Sequence, residues 1–233
     1  MKSVAASGLV IAAILSIGLG GCGSSSKSDS ASSASSTAPA TTTTTVEPQA
    51  KVAPRPNIEG PNPTIAGYLK QSGVTQTPVH RGDPGAPVID LPTPDGWVDA
   101  GPDTPKGAYY AVIYTGPEAH NYTPSIVAVV SKLTGDVDQQ KILDLAPGEL
   151  KNLPQFAPMG DGSSTTLSGF PGYQSGGTWV DNGLTKMIAQ KTVVIPGSDG
   201  LYMLQLSADC LEDQLDVAAP ATITIDDQTK ITT

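Results

Sequence analysis

Runs of apolar residues in the second half of the chain predict β-strands that are buried on both sides. Residues 109–114 are apolar at nearly every position, so Tyr110 and Tyr114 share one face while Tyr109 lies on the other. The same character recurs at residues 126–130, 192–195 and 201–206. Because both faces of such strands need cover, the pattern predicts a sheet that lies between two layers of helices.

Turn signals between these strands predict that neighbouring strands run antiparallel. Asp181, Asn182 and Gly183 separate two apolar segments, and residues 197–200 separate the next two. Both are typical of β-hairpins. Residues 160–162 predict a third hairpin, so the second half of the domain is expected to be an antiparallel meander.

Caps and breakers predict helices at the start and in the middle of the domain. Asn62 is expected to cap a short helix that ends at Gly73, with Pro63 in its first turn. Asp136 is expected to open a second helix as part of a capping box. That helix should extend through Leu145.

Two more helices complete the predicted architecture. Pro147 starts a short one that reaches about Asn152, and residues 211–227 form the last. Pro220 falls inside the last helix and is expected to kink or split it, because proline has no N–H to donate. The predicted class is α+β, an antiparallel sheet sandwiched between helices in α/β/α layers.

The N-terminus predicts export and lipid attachment. Lys2 precedes an apolar run over residues 9–19, and Cys22 follows after two glycines. We interpret residues 1–21 as a lipoprotein signal peptide, residues 22–58 as an acylated Cys22 (a palmitate-type anchor) with a disordered Ser/Thr/Ala/Pro tether, and residues 59–233 as one globular domain. An ordinary signal peptide or an uncleaved anchor is the alternative.

Composition excludes several classes of function. The 233 residues carry a net charge of −9, which would repel a phosphate backbone, so nucleic acid is not an expected partner. Two cysteines and two histidines cannot build a zinc site of those residues, and no metal or cofactor is expected. The chain has neither a nucleophile elbow nor a phosphate loop, so we expect no enzyme. An esterase using one of the serines or His80 is the alternative enzymatic interpretation.

Aromatic and methionine side chains are the remaining candidates for a binding site. Tyr and Trp combine an apolar body with a polar group, which suits a sugar or a cleft wall. Residue type and strand parity select Tyr68, Trp97, Tyr110, Tyr114, Phe170, Trp179, Met187 and Met203 as predicted ligand-binding residues. An ordinary core and rim is the alternative.

Four segments in order resemble the mycobacterial LpqN lipoprotein family. They are VHRGDPGAP (79–87), SKLTGD (131–136), APGELKNLP (146–154) and AQKTVVIP (189–196), with support from residues 64–69 and 226–229. The resemblance covers nearly all of residues 62–231. Pro220 departs from the uninterrupted last helix of the family.

The resemblance implies a Mog/PsbP-like fold without catalytic residues or a cofactor. It further implies work at the extracytoplasmic face of the cell membrane, beside MmpL-type transporters, with binding of a trehalose-based, mycolate-type glycolipid. The alternative function is an interaction module without a ligand cavity that docks on a membrane transporter or a host protein.

Overall fold

The computed structural model describes residues 52–53 and 59–233. All of them belong to the compact unit Val46–Thr233; the chain's other unit, Met1–Thr45, lies wholly outside the described residues. The predictions of a signal peptide, of an acylated Cys22 and of most of the tether therefore also fall outside the described residues.

The described domain has four α-helices, three short 3-10 helices and eleven strands. The α-helices are α1 Ile65–Gln71, α2 Gln139–Leu145, α3 Gly148–Lys151 and α4 Leu215–Gln228. The strands are β1 Thr75–Val79, β2 Val88–Asp90, β3 Trp97–Asp99, β4 Tyr110–Tyr114, β5 Ser125–Thr134, β6 Ala157–Pro158, β7 Ser163–Leu167, β8 Phe170–Asp181, β9 Leu184–Gly197, β10 Gly200–Leu211 and β11 Lys230–Thr232.

Nine strands form one antiparallel sheet in the order β3-β4-β5-β10-β9-β8-β6. β1 also pairs with β5, and β7 also pairs with β8. The strands β2 and β11 form a separate two-stranded sheet. The prediction of an α+β fold with an antiparallel sheet between helices is confirmed.

One face of the sheet packs against α4, and we call it the α4 face. Val112, Val130 and Leu204 from three neighbouring strands point to this side, where Ala221 and Ile225 of α4 cover them. An ion pair between Lys191 of β9 and Asp226 of α4 ties the two layers at 2.6 Å. Apolar burial on this side accounts for one of the two apolar faces of these strands.

The opposite face is covered by α1, α2 and α3, and we call it the three-helix face. Ile65 of α1 and Ile142 of α2 are both buried against Val194 of β9. Leu150 of α3 packs farther along the sheet, against Trp179 of β8. Both faces are thus covered, as the apolar strands require.

The first two helices are capped by residues other than the predicted ones. The side chain of Thr64, not Asn62, accepts the backbone N–H of Gly67. Asn62 instead exchanges hydrogen bonds with Asn152, so tertiary structure uses its amide. Asp138, not Asp136, caps α2.

Two of the three predicted hairpins are confirmed and the third is wrong. The β8–β9 turn holds Asn182 and Gly183 at φ of 49° and 80°, as a two-residue turn requires, and β9 and β10 form the other predicted hairpin. Residues 160–162 do not form a hairpin, because β6 and β7 both pair with β8 and not with each other. The hairpin that precedes β8 turns at Ser168.

The last helix is continuous. α4 contains Pro220 without being split, so the predicted split is wrong, whereas a kink at Pro220 stays a prediction. Ala218, Ala221 and Ile225 are its buried positions, and their packing outweighs the single backbone hydrogen bond that proline removes. Among the described residues, no helix has the length and apolarity to cross a membrane.

Val52 lies within the predicted tether and contacts the folded domain. It packs against Ala100, Ala111 and Ile113 on the three-helix face. The boundary at residue 59 stays a prediction, but contacts with the domain begin at least seven positions earlier.

Candidate functional site

The candidate site is a narrow cleft on the three-helix face, between α3 and the middle of β8. We call it the α3 cleft; its lining residues are Pro147, Leu150, Lys151, Phe156, Pro158, Gly160, Asp161, Ser175 and Gly176. Its volume is about 20 Å³. That is room for about one water molecule, so the cleft is closed to a sugar ring or an acyl chain as it stands.

Beneath the cleft the pairing of β8 with β9 sets out a row of polar side chains. Ser175 lies opposite Gln190, with Tyr173 opposite Thr192 on one side and Trp179 opposite Lys186 on the other. Alternate residues share a face, so these all belong to the three-helix face. Lys186, Gln190 and Thr192 are buried. Buried polar side chains are uncommon, so we take this row as part of the candidate site.

Two polar atoms in this region are buried without a hydrogen bond within the described part of the chain. They are Nε1 of Trp179 and Oγ1 of Thr192. Trp179 is 3% exposed and packs with Leu150, Leu153 and Ile188. An unmet buried donor or acceptor costs about 1–3 kcal/mol, so each of these atoms is suited to a ligand group that pairs with it.

Lys186 closes one end of the row. Its Nζ lies 2.8 Å from Asp181 Oδ2, 4.7 Å from the ring centroid of Tyr122 and 5.1 Å from that of Trp179. The carboxylate neutralises the ammonium, and the two rings replace part of its lost hydration. This end of the face therefore carries little net charge.

Tyr122 is fixed by neighbours on both sides. Its hydroxyl donates a hydrogen bond to Asp209, while Gln214 donates to the backbone carbonyl of Tyr122. Burial, together with the negative charge of Asp209, raises the pKa of Tyr122 far above its usual 10.0. The phenol therefore stays a hydrogen-bond donor across the physiological pH range.

Phe156 closes the cleft from the outer edge of the sheet. Its ring rests on the backbone of Gly177, where a Cβ atom would fall 2.7 Å from Cε2 of the ring. Phe156 is half-buried, whereas residues 157–162 are exposed. Gln155, just before it, has a φ of 52°, a left-handed conformation that costs a non-glycine residue about 1–2 kcal/mol.

A second depression on the described surface lies elsewhere and is shallow. It has a volume of about 440 Å³ and is lined by Leu184, Thr185, Leu211, Glu212 and Asp213. Two carboxylates at an open rim give it no enclosed apolar volume. We therefore place the candidate site at the α3 cleft.

Comparison with known proteins assigns the family. The family described as "Probable lipoprotein LpqN" matches residues 61–232. Lipoprotein LpqN of Mycobacterium tuberculosis is 50% identical over 173 residues, which cover 74% of this chain and 75% of that protein. The chain belongs to the LpqN lipoprotein family.

A solved member of the LpqN family has the same fold. It is the crystal structure of "LpqN involved in cell envelope biogenesis of Mycobacterium tuberculosis", with a TM-score of 0.71 and 50% identity over 75% of this chain and 100% of that one. A structure of a point mutant of the protein Mog1 aligns with a TM-score of 0.36 and 13% identity, over 65% of this chain and 89% of that one. The predicted LpqN resemblance is confirmed, and both LpqN descriptions are of a lipoprotein, not of an enzyme family.

The eight predicted ligand-binding residues of this LpqN-family chain do not form one site. Five lie on the α4 face: Trp97, Tyr110, Tyr114, Phe170 and Met187. Three lie on the three-helix face: Tyr68, Trp179 and Met203. Of the eight, Trp179 alone belongs to the cluster that packs beside the α3 cleft. Ligand binding by all eight residues stays a prediction.

Several of the residues on the α4 face have structural partners. The rings of Trp97 and Tyr114 lie 5.8 Å apart, and the Arg81 guanidinium lies 4.7 Å from the ring centroid of Tyr110. The hydroxyl of Tyr110 is hydrogen-bonded to Thr93. These contacts account for Trp97, Tyr110 and Tyr114 as core and rim.

Sequence reasoning missed Lys186, Gln190, Thr192 and Phe156. A signal for the first three was present, because a two-residue turn at Asn182 and Gly183 fixes the register of β8 on β9. That register places Trp179 and Lys186 opposite each other. No comparable signal marks Phe156.

The remaining reactive groups do not assemble a centre. His80 is exposed, with its Nδ1 3.7 Å from Asp83. Cys210 is buried, and burial raises its pKa to about 12. Across the described residues, no three His, Cys, Asp or Glu side chains are grouped to hold a metal ion.

Proposed function

We propose that this protein is a non-enzymatic envelope lipoprotein that binds a trehalose-based, mycolate-type glycolipid in the α3 cleft and assists an MmpL-type exporter. Membership of the LpqN family supports a lipoprotein, and the M. tuberculosis relative is described as involved in cell envelope biogenesis. The glycolipid and the transporter go beyond that description and are the proposal.

The observation that carries the proposal is the pair of unmet polar atoms beside the cleft. Trp179 Nε1 and Thr192 Oγ1 lie on either side of the Ser175–Gln190 pair, in a layer walled by Leu150 and Phe156. A glycolipid has both kinds of group that this layer lacks, hydroxyl or carbonyl oxygens and an apolar chain. The site would thus gain hydrogen bonds that it does not make by itself.

The free energy of transferring an acyl chain indicates that selectivity between lipids must come from those polar contacts. Ten methylenes gain about 8 kcal/mol on leaving water. They gain almost nothing on leaving a bilayer, because both environments are apolar. A protein that takes a lipid from a membrane therefore selects it through the head group.

Attachment at Cys22 would hold this binding domain close to its lipid source. The proposed arrangement is a removed signal peptide (1–21), an acylated tether (22–58) and a domain (59–233) at the extracytoplasmic face of the cell membrane. Two or more acyl chains make such an anchor stable.

Binding is tested with an alkyl trehalose added to the purified protein, followed by thermal unfolding. We expect the melting temperature to rise with ligand concentration. Free trehalose is the control that shows whether the alkyl chain of the ligand is needed. Absence of any shift at saturating ligand counts against the proposal.

Thr192→Val sharpens this test because two effects take opposite signs. The substitution removes a buried hydroxyl that has no partner, so the free protein should become more stable by up to about 1–2 kcal/mol. Ligand binding should weaken in the same variant. Thr178→Val, on the α4 face of β8, is the matched control. It should change neither the affinity for alkyl trehalose nor the preference for alkyl trehalose over free trehalose.

A docking module on a membrane transporter or a host protein is the second candidate. The small volume of the α3 cleft favours it, since no acyl chain fits there without movement. Co-purification of a transporter with lipid-free protein, combined with no binding of alkyl trehalose, would establish this alternative.

A further inference from the structure

The indole of Trp179 is a hydrogen-bond donor held in apolar surroundings. Its neighbours in the packed cluster are Leu150, Leu153 and Ile188, with Phe156 against them. Nε1 is fully buried and has no acceptor within the described chain. A ligand group that fits here must accept one hydrogen bond and bring no donor of its own, because that donor would in turn be unpaired.

This requirement distinguishes between the polar groups of a lipid. A sugar hydroxyl carries a donor as well as an acceptor, and a free carboxylate brings a charge that the apolar cluster cannot solvate. The carbonyl of an acyl ester accepts only, and it is followed by an apolar chain. Lys186 does not alter this preference, since its charge is paired with Asp181.

Phe156 occupies the volume that such a chain would need. Its ring covers the bare backbone of Gly177 and completes the Trp179 cluster. The segment that carries it, residues 155–162, is otherwise exposed. This segment is attached to the sheet by the two residues of β6 and by two hydrogen bonds. Met159 N donates to Gly176 O, and the Tyr173 hydroxyl donates to Asp161 O.

The conformation of this segment favours displacement over rigid closure. Gln155 has a positive φ before the ring, and Gly160 and Gly162 have φ of 86° and 73° after it. Release of Gln155 to an ordinary conformation would recover part of the energy lost when the Phe156 contacts are broken. Few attachments and exposed backbone are also the marks of locally low stability.

We propose that the acyl ester of a bound glycolipid replaces the Phe156 ring and accepts a hydrogen bond from Trp179 Nε1, with residues 155–162 moving outward. This inference rests on the proposed function and deepens it by naming the lipid group recognised. It assigns the ester, not the sugar alone, as a determinant of specificity.

The test compares a trehalose decanoyl ester with the trehalose decyl ether, using the purified protein in detergent-free buffer. We expect the ester to bind more tightly by about three- to tenfold, the usual effect of one neutral hydrogen bond. Decanoate should bind more weakly than the ester. Equal affinity for ester and ether, or tighter binding of decanoate, would overturn the inference.

Indole N–H resonances give a direct readout, because the chain has only two tryptophans. In a ¹⁵N–¹H correlation spectrum, the Trp179 signal should shift downfield with the ester and much less with the ether. Trp97 lies on the α4 face and is the internal control, so its signal should not respond. An unmoved Trp179 signal with bound ester contradicts the proposal, even if Trp179 variants fail to fold.

Two substitutions complete the test. Trp179→Phe keeps a ring but removes the donor, so it should abolish the ester preference while ether binding persists. Phe156→Ala should tighten binding of both ligands by several-fold, because no ring must be displaced. Ile223→Ala, at an exposed apolar position of α4, is its control and should leave binding unchanged. If neither ligand binds the unmodified protein, the proposed function itself fails. If both bind alike, only the ester assignment fails.

Discussion

The ring of Phe156 lies directly on the backbone of Gly177, at a point where no other residue type leaves room for it. A Cβ atom at position 177 would fall 2.3 Å from Ala157 O and 2.7 Å from the ring. The carbonyl belongs to β6, so one glycine permits both the pairing of β6 and the closure of the α3 cleft. The outer edge of the sheet depends on this contact.

Gly177→Ala should therefore loosen that edge. We expect a loss of about 1–3 kcal/mol in the free energy of unfolding, because the backbone must move to accept the methyl group. Urea unfolding measures the loss, and hydrogen exchange should be faster at Met159, whose N–H bonds Gly176 O. Ser175→Ala is the control in the same strand. Unchanged stability and hydrogen exchange in Gly177→Ala would contradict the close contact of Phe156 and Ala157 with the backbone of Gly177.

The buried ion pair at Lys186 should respond unequally to removal of its two partners. Lys186 is 5% exposed in its side chain and Asp181 is 32% exposed. Asp181→Asn leaves a buried ammonium without its counter-charge and should cost about 1–3 kcal/mol. Lys186→Met leaves a carboxylate that water can reach, so it should cost less.

Urea unfolding of both single variants and of the double variant compares these two losses of stability. Asp144→Asn, in an exposed contact with Gln140 on α2, is the control and should change stability by less than about 0.5 kcal/mol. A larger loss for Lys186→Met than for Asp181→Asn would contradict the burial assigned to the lysine.

Stability should fall with pH above 9 because of Cys210. Burial raises the pKa of Cys210 from 9.0 to about 12, so between these values the unfolded chain loses the thiol proton and the folded chain keeps it. The free energy of unfolding then decreases with pH, by at most about 1.4 kcal/mol per pH unit. The contribution is fully present below pH 9 and is lost as the pH rises towards 12.

Urea unfolding between pH 8 and pH 10 measures this effect by comparison with Cys210→Ala, because tyrosines such as Tyr122 and Tyr202, whose pKa values are raised from 10.0, add a decrease of their own near pH 10 and above. Cys210→Ala should lower stability overall and flatten the profile in this range. A profile with the same slope in the variant would assign the effect to another group.

Replacing Pro220 by alanine should stabilise the domain. Pro220 is exposed inside α4 and has no N–H to donate to the carbonyl of Asp216 one turn earlier. Pro220→Ala restores that hydrogen bond and a good helix former, with an expected gain of about 1–3 kcal/mol. Pro84→Ala, in an exposed loop, should instead lower stability by about 0.4–1 kcal/mol through the entropy of the unfolded chain. Thermal unfolding of both variants decides the signs.

Local patterns were sufficient to predict the layers of the fold but not every cap and turn. The apolar run is confirmed as a strand at Tyr110–Tyr114, with Tyr110 and Tyr114 on one face. Tyr109 was predicted on the other face, which is wrong: it precedes the strand and packs in the same core cluster as Tyr110. Asn62 was a wrong cap because an amide has other partners in the folded chain, here Asn152, 90 positions later. Pro220 did not split α4, because helix packing on the sheet lies outside what local propensity describes.

The site was less predictable because it depends on register between strands. Trp179 and Met187 lie on adjacent strands and were both selected by residue type, yet they point to opposite faces. The two-residue turn at Asn182 and Gly183 already contained this information, since it pairs Trp179 with Lys186. Phe156 reaches its place through Gln155 and the bare Gly177, a long-range contact with no local signature.

The pairing of β5 with β10 has a consequence for the order in which the molecule assembles. β5 pairs on one side with β1 and β4, but its other partner is β10, where Val130 meets Leu204. Until the last long strand has been synthesised, the amino-terminal half has an open hydrogen-bonding edge and no completed core. Pairing β5 with β10 closes a loop made of all the residues between them, and closing so long a loop is slow and entropically unfavourable. The nascent chain therefore cannot complete its fold until β10 has been synthesised, near the end of translation.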